Sequence, residues 1–118
     1  MKISKEKHIS IIGGAGHVGL PLGLAFATKN YKVHLIDKNE NYLNLIKNNH
    51  MPFFEVGSEK ILKKINKFKF FYYETSLKNL NLSKYIIICI GTPIKSNLKP
   101  DLKGFYSLIN NLKKKITK

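Results

Sequence analysis

The sequence predicts an α/β fold, in which a parallel sheet of about four strands carries helices on both faces. Short runs rich in isoleucine, valine and aromatic residues alternate along the chain with segments of helical periodicity. The run at residues 85–90 is continuously apolar, which is typical of a central parallel strand buried on both faces. The length of 118 residues is that of one small domain. Residues 1–118 are therefore expected to form one domain, without room for a second lobe.

The first half of the chain predicts two strands and two helices. The strand at His8–Ile12 stops at a cluster of glycines, and residues 17–29 then show the apolar spacing of a helix. Residues 31–36 predict a second strand that ends at Asp37, and residues 39–48 predict a second helix. Because each helix returns the chain to the same end of the sheet, the strands are expected to be parallel.

The second half predicts a helix, an aromatic strand, an apolar strand and a final helix, at residues 58–66, 68–72, 85–90 and about 102–115. A loop at residues 50–57 precedes the first of these helices, and Ser58 is its predicted N-cap. A short helical turn is expected near residues 76–80.

The expected strand order is 3-2-1-4, with the first strand in the middle of the sheet. That arrangement is the first half of a Rossmann-like, dinucleotide-binding fold plus one strand. It leaves an unpaired edge beside the apolar fourth strand, and such an edge favours association unless another element covers it. The chain is therefore predicted to be the front part of a larger protein. A complementing C-terminal chain or a homo-oligomer would cover the edge.

The formal net charge of +14 raises the question of a polyanionic partner. All 21 basic residues are lysine, and specific readers of phosphate and bases favour the planar fork of arginine. The lysines are also spread along the chain, with local clusters only at Lys63-Lys64 and at Lys113-Lys114-Lys115. A solvated surface is the favoured interpretation, and no nucleic-acid partner is expected.

Composition also bears on metals and on membranes. One cysteine excludes a disulfide framework and a cysteine-rich zinc site, and the four histidines show no metal-ligand spacing. No apolar run approaches the roughly 20 residues that span a bilayer. We expect no metal site, no membrane partner and a cytoplasmic location.

The most informative motif is the Gly-x-Gly-x-x-Gly run Gly14-Ala15-Gly16-His17-Val18-Gly19, between a predicted strand and a predicted helix. In this motif Gly14 is expected to form the tight turn, and Gly16 is expected to let a pyrophosphate approach the backbone. Gly19 is expected to let the helix sit close to the sheet. The helix N-terminus would then offer free N–H groups and a partial positive charge to the phosphates.

An acidic residue in register supports a dinucleotide as the ligand. Asp37 ends the second predicted strand, 23 residues after Gly14, where a carboxylate can accept both hydroxyls of an adenosine ribose. The same charge repels a 2′-phosphate, so NAD is favoured over NADP. Lys38 weakens this preference because a lysine could pair with that phosphate.

Several motifs together resemble the UDP-glucose/GDP-mannose dehydrogenase family, which includes the UDP-N-acetylmannosamine dehydrogenases. The motifs, in order, are Val18-Gly19-Leu20-Pro21 within residues 9–27, Ile36-Asp37, Pro52-x-x-Glu55-x-Gly57, Ile90-Gly91-Thr92-Pro93 and Lys99-Pro100-Asp101. The resemblance covers nearly the whole chain from His8 onward. It implies an NAD-dependent enzyme that oxidises the C6 alcohol of a nucleotide sugar to a carboxylate through a covalent cysteine intermediate.

By position, the resemblance implies that Val18 and the neighbouring backbone line the pyrophosphate and that Asp37 holds the adenosine ribose. Thr92 and Pro93 would lie near the cofactor beyond the fourth strand, although a turn that merely ends the strand is the alternative interpretation. His17 replaces the tyrosine common in this loop of the family, and Tyr42 stands where some members have a basic residue.

The family's catalytic motifs fall beyond residue 118, so no catalytic residue is assigned and the chain alone is expected to be inactive. Cys89 lies inside an apolar strand and is not expected to replace the catalytic cysteine. The first hypothesis is the NAD-binding portion of a nucleotide-sugar dehydrogenase, with the sugar nucleotide bound by a missing domain. The alternative is a stand-alone, non-catalytic dinucleotide-binding or regulatory module.

Overall fold

The computed structural model describes residues 7–91 and 95–116. Within these residues, four parallel strands form one sheet, namely β1 (His8–Ile12), β2 (Lys32–Ile36), β3 (Phe71–Glu74) and β4 (Tyr85–Ile88). Their spatial order is β3-β2-β1-β4, which confirms the predicted order 3-2-1-4. The chain therefore builds the sheet outward from β1 in both directions.

Helices cover both faces of this sheet, as predicted. They are α1 (Gly19–Thr28), α2 (Glu40–Lys47), α3 (Ser58–Lys67) and α4 (Lys103–Ile116), and a 3-10 turn spans Leu80–Leu82. Successive side chains of a strand point to opposite faces. In β1, Ile11 belongs to the core that α1, α2 and α3 complete, whereas Ile12 packs with Leu112 of α4.

Strand β3 begins three residues later than the prediction of 68–72. The reason is the end of α3, where the N–H groups of Lys69 and Phe70 donate to the carbonyls of Asn66 and Ile65. Lys69 adopts a left-handed φ of 58°, a conformation that commonly ends a helix. Phe68 therefore caps α3 and does not belong to the sheet.

The prediction that residues 85–90 are buried on both faces is wrong. Strand β4 ends at Ile88, its Tyr85 side chain is 50% exposed, and Ile86 and Ile87 are only half-buried. The reason is position, because within the described part of the chain β4 pairs with β1 alone and lies at an edge of the sheet.

A buried polar cluster lies on the sheet face opposite Ile11. Nδ1 of His34 lies 2.6 Å from Oε2 of Glu74, and Nε2 of His34 lies 2.8 Å from Nδ1 of His8. His34 is fully buried in the inner strand β2, where the rings of His8 from β1 and Tyr72 from β3 pack against it. Burial, the neighbouring His34 and then Lys32 lower the pKa of His8.

None of the helices in residues 7–91 and 95–116 is both long enough and apolar enough to cross a bilayer.

Candidate dinucleotide-binding site

The glycine loop leaves β1 at the carboxyl edge of the sheet and is held there by β2. The N–H groups of Gly13 and Gly14 both donate to the carbonyl of Ile36, at 2.8 and 3.1 Å. Ile36 is the last residue of β2, so the start of the loop is fixed beside the residue that follows β2. Two consecutive strand ends thus meet at one point, as a parallel sheet requires.

The sharp turn out of β1 occurs at Gly13, one residue before the position that the motif predicts. Gly13 has a φ of 89°, and a Cβ at this position would lie 2.2 Å from the carbonyl oxygen of Cys89. Gly14 is close-packed instead, since its Cβ would lie 2.8 Å from the Cα of Leu35. The adjacent glycines Gly13 and Gly14 indicate a turn in the sequence. The Gly-x-Gly-x-x-Gly motif begins at Gly14, so the motif alone does not point to Gly13.

Gly19 and Gly16 differ in what surrounds them. A Cβ on Gly19 would lie 2.2 Å from the carbonyl oxygen of Gly13, so the helix meets the loop backbone more closely than any side chain allows. A Cβ on Gly16 would find its nearest atom at 3.4 Å, an ordinary van der Waals distance. Packing among the described residues therefore does not require glycine at Gly16, and they leave the space above it open to a ligand.

Helix α1 begins without a side-chain cap. Its N-cap is Val18, which makes no side-chain hydrogen bond and is 68% exposed. No acceptor within residues 7–91 and 95–116 takes up the N–H groups of His17, Val18 and Gly19. Free N–H groups at a helix N-terminus attract anions, because they add to the positive end of the helix dipole.

Asp37 follows β2 and bonds directly to the glycine loop. Its Oδ2 accepts the N–H of Ala15 at 3.0 Å, and its Oδ1 accepts the N–H of Asn39 at 2.9 Å. A carboxylate has about four lone-pair sites, so each oxygen can still accept a hydroxyl. Lys38, the next residue, is exposed.

A cavity of about 620 Å³ connects these parts, a volume within the usual range of ligand pockets. Gly13, Gly16, Asp37 and Lys38 line one side of it. Further walls come from the segments after β3 and β4 and from α4, namely Thr75, Ser76, Leu77, Ile90, Gly91, Phe105, Leu108 and Asn111. A second cavity of about 670 Å³ lies at residues 95–106 and contains none of the loop glycines.

Sequence reasoning missed Thr75, Ser76 and the α4 side of this cavity. The polar pair follows β3 directly, and ligands of open α/β sheets bind beyond the carboxyl ends of the strands. Applied to the end of β3, that rule could have predicted Thr75 and Ser76 as residues of the site. The positions of Thr92 and Pro93 lie outside the described residues, so their predicted place beside the cofactor stays a prediction.

Cys89 is half-buried and also lines the cavity. In the part of the chain that the structure describes, no group of three His, Cys, Asp or Glu side chains is arranged to hold a metal ion.

Known proteins are similar to this chain in sequence. Residues 7–118 match the NAD-binding domain of the UDP-glucose/GDP-mannose dehydrogenase family. Protein CapL of Staphylococcus aureus is 34% identical over 95% of this chain and 25% of its own length. A UDP-glucose 6-dehydrogenase of Rickettsia felis is 29% identical over 89% of this chain and 24% of its own length.

A solved structure agrees with these sequence relatives. The GDP-mannose dehydrogenase of Pseudomonas aeruginosa superimposes with a TM-score of 0.78 at 28% identity, over 86% of this chain and 23% of that protein. The chain thus spans about a quarter of the length of these relatives. Its match to the family covers nearly all of residues 1–118, and it therefore belongs to the UDP-glucose/GDP-mannose dehydrogenase family, whose cofactor is NAD, as an NAD-binding domain.

Proposed function

We propose that this chain is the NAD-binding portion of a nucleotide-sugar 6-dehydrogenase, an enzyme that oxidises the C6 alcohol of a UDP-sugar to the uronate. The observation that carries the proposal is the meeting of two features at one cavity. These are Gly16 of the glycine loop, which leads into the uncapped N-terminus of α1, and the Asp37 carboxylate, which hydrogen-bonds to the same loop.

The cofactor's pyrophosphate would lie against the N-terminus of α1. The N–H groups of His17, Val18 and Gly19 are free for it among the described residues, and the open space above Gly16 admits it. Ala15 has a different part, since its N–H already donates to Asp37. Ala15 therefore orients the carboxylate and leaves the phosphates to the residues after it.

The adenosine ribose would lie at Asp37. Each carboxylate oxygen already accepts one backbone N–H, so the side chain is held in one orientation before any ribose hydroxyl arrives. Its negative charge opposes a 2′-phosphate, which favours NAD over NADP. Lys38 lines the same cavity and reduces this discrimination. Thr92 and Pro93 are assigned to the cofactor site by family resemblance alone.

NAD would accept the hydride from C6 of the sugar. The residues of this chain would bind and orient the cofactor, and no proton transfer is assigned to them. The sugar nucleotide and the catalytic side chains would belong to a further domain, so we expect no turnover from the 118-residue chain alone.

Calorimetric titration of the purified chain with NAD and NADP tests the binding step. We expect NAD to bind more tightly than NADP, and we expect no reduction of NAD with UDP-glucose or UDP-N-acetylmannosamine. A folded chain that binds neither dinucleotide would refute the cofactor role. Turnover of either sugar nucleotide would refute the expected dependence on a further domain.

A further inference from the structure

We propose that Phe53 is a positioning residue of the dinucleotide site and that it acts by stacking on His17. This inference rests on the proposed NAD binding, and nothing in the family match assigns a role to either ring.

The observation is a ring stack between two loops far apart in sequence. The centroids of the His17 and Phe53 rings lie 4.2 Å apart, and their planes are inclined by 20°. His17 lies in the glycine loop before α1, and Phe53 lies in the connection between α2 and α3. The stack therefore joins the proposed phosphate-binding loop to a segment that has no other part in the site.

Phe53 is the anchored member of this pair. It is half-buried and packs against the core beneath α1 and α3, whereas His17 is exposed. The connection that carries Phe53 is itself tied to α3, because the Met51 N–H donates to Oε2 of Glu59 and the Ser58 N–H donates to the carbonyl of Glu55. The Phe53 ring is thus held by the core, and it restricts the movement of the exposed His17 ring.

The restriction acts where the phosphates would bind. The backbone N–H of His17 is one of the free N–H groups before α1. The stacked imidazole is the side chain of this same residue, so the stack also restricts the residue that carries the N–H. Holding the ring reduces the conformational freedom that His17 would otherwise lose when a ligand binds, which is a gain in affinity through preorganisation. The usual worth of an aromatic pair corresponds to about a three- to tenfold change in the dissociation constant.

The neighbouring Phe54 provides a matched control. Its side chain is 90% exposed, and it makes no ring contact within residues 7–91 and 95–116. Phe54→Ala therefore removes the same side chain from the same segment without touching the stack.

The experiment measures NAD affinity by calorimetry for Phe53→Leu, Phe53→Tyr, His17→Ala and the His17→Ala/Phe53→Leu double variant. Phe53→Leu keeps an apolar side chain but removes the stack, so we expect it to bind NAD about three- to tenfold more weakly than the wild type. Phe53→Tyr keeps an aromatic ring and should bind NAD with wild-type affinity. Phe54→Ala should bind as the wild type does. The double variant should bind no more weakly than His17→Ala alone, because both changes break one contact.

Wild-type affinity in Phe53→Leu would overturn the inference, and so would losses that add in the double variant. Equal weakening by Phe54→Ala would also overturn it, since that result reports a general effect of the segment. Thermal unfolding of each variant identifies a folding defect, and a melting temperature that falls while NAD affinity stays unchanged means that Phe53 is structural only. Failure of the wild-type chain to bind NAD would instead refute the proposed function on which this inference rests.

Discussion

The carboxylate of Asp37 accepts a hydrogen bond from the backbone N–H of Ala15, with 3.0 Å between Oδ2 and N. This bond joins the end of β2 to the centre of the glycine loop. One side chain thus shapes the proposed phosphate site and also offers acceptors to a ribose. The conformation of the glycine loop and the affinity for the adenosine half of the cofactor consequently both depend on the Asp37 carboxylate.

Asp37→Ala should weaken NAD binding by at least about tenfold, because a charged acceptor of ribose hydroxyls is lost and the Ala15 N–H is released. The preference for NAD over NADP should fall as well. Calorimetric titrations with both dinucleotides measure these effects. Glu40→Ala makes the same change in net charge at an exposed position of α2 and should leave both affinities unchanged. Unaltered NAD affinity in a folded Asp37→Ala variant would contradict the ribose assignment.

Alanine at Gly13 and alanine at Gly16 should separate stability from binding. Gly13→Ala forces a Cβ to within 2.2 Å of the Cys89 carbonyl oxygen at a φ of 89°, so urea unfolding should show a loss of about 2–4 kcal/mol. Gly16→Ala meets its nearest atom at 3.4 Å and should change the unfolding free energy by less than about 1 kcal/mol. NAD binding should nevertheless be strongly weakened in Gly16→Ala, because the new methyl group occupies the space open to the pyrophosphate.

Gly104→Ala is the control for the stability measurements on these two variants. Gly104 is exposed in α4, and a Cβ there meets no atom of the described residues within 4 Å, so the substitution should stabilise the chain by up to about 1 kcal/mol. Equal stability of Gly13→Ala and Gly16→Ala would contradict the assignment of the tight turn to Gly13.

The strand order and the loop were predictable because both depend on local patterns. The β-α-β alternation fixes parallel neighbours, and the position of Asp37 after Ile36 fixes its place at the carboxyl edge, beside the glycines that follow Ile12. These relations hold for any parallel sheet of this order. Sequence patterns that repeat within a few residues therefore gave most of the architecture and the two anchors of the site.

Relations between distant residues were not predictable in the same way. His34 alternates with Val33 and Leu35, a pattern that usually puts the polar residue toward solvent. It is buried because β3 brings Glu74 beside it, and that pairing depends on the register of two strands. The stack of Phe53 on His17 likewise depends on how the connection between α2 and α3 folds back onto the glycine loop. No local sequence pattern predicts that path.

Tyr73→Phe should reveal a stability term that disappears at alkaline pH. Burial raises the pKa of Tyr73, against a smaller lowering by its hydrogen bond to Asn66. Since the folded pKa exceeds the unfolded value of 10.0, this stabilisation is complete below pH 10.0 and declines as the pH rises above it. The phenylalanine variant should lose about 1 kcal/mol at pH 7 but show a shallower alkaline decline. Tyr42→Phe, at an exposed position, should follow the wild-type curve, and identical alkaline slopes for all three proteins would contradict the prediction.

His8 should make the chain less stable in mild acid. Burial, then His34 and then Lys32 lower its pKa from 6.5, while Glu74 faces the cluster through His34. Below pH 6.5 the unfolded chain therefore binds more protons at this residue, so the stabilisation is complete above pH 6.5 and is lost as the pH falls through the folded pKa. Melting temperatures between about pH 5 and pH 8 should fall less steeply for His8→Asn, which keeps a neutral polar group beside His34. His50→Asn removes an exposed histidine and should preserve the wild-type slope. A His8→Asn curve parallel to the wild type would mean that proton uptake at His8 does not limit stability in acid.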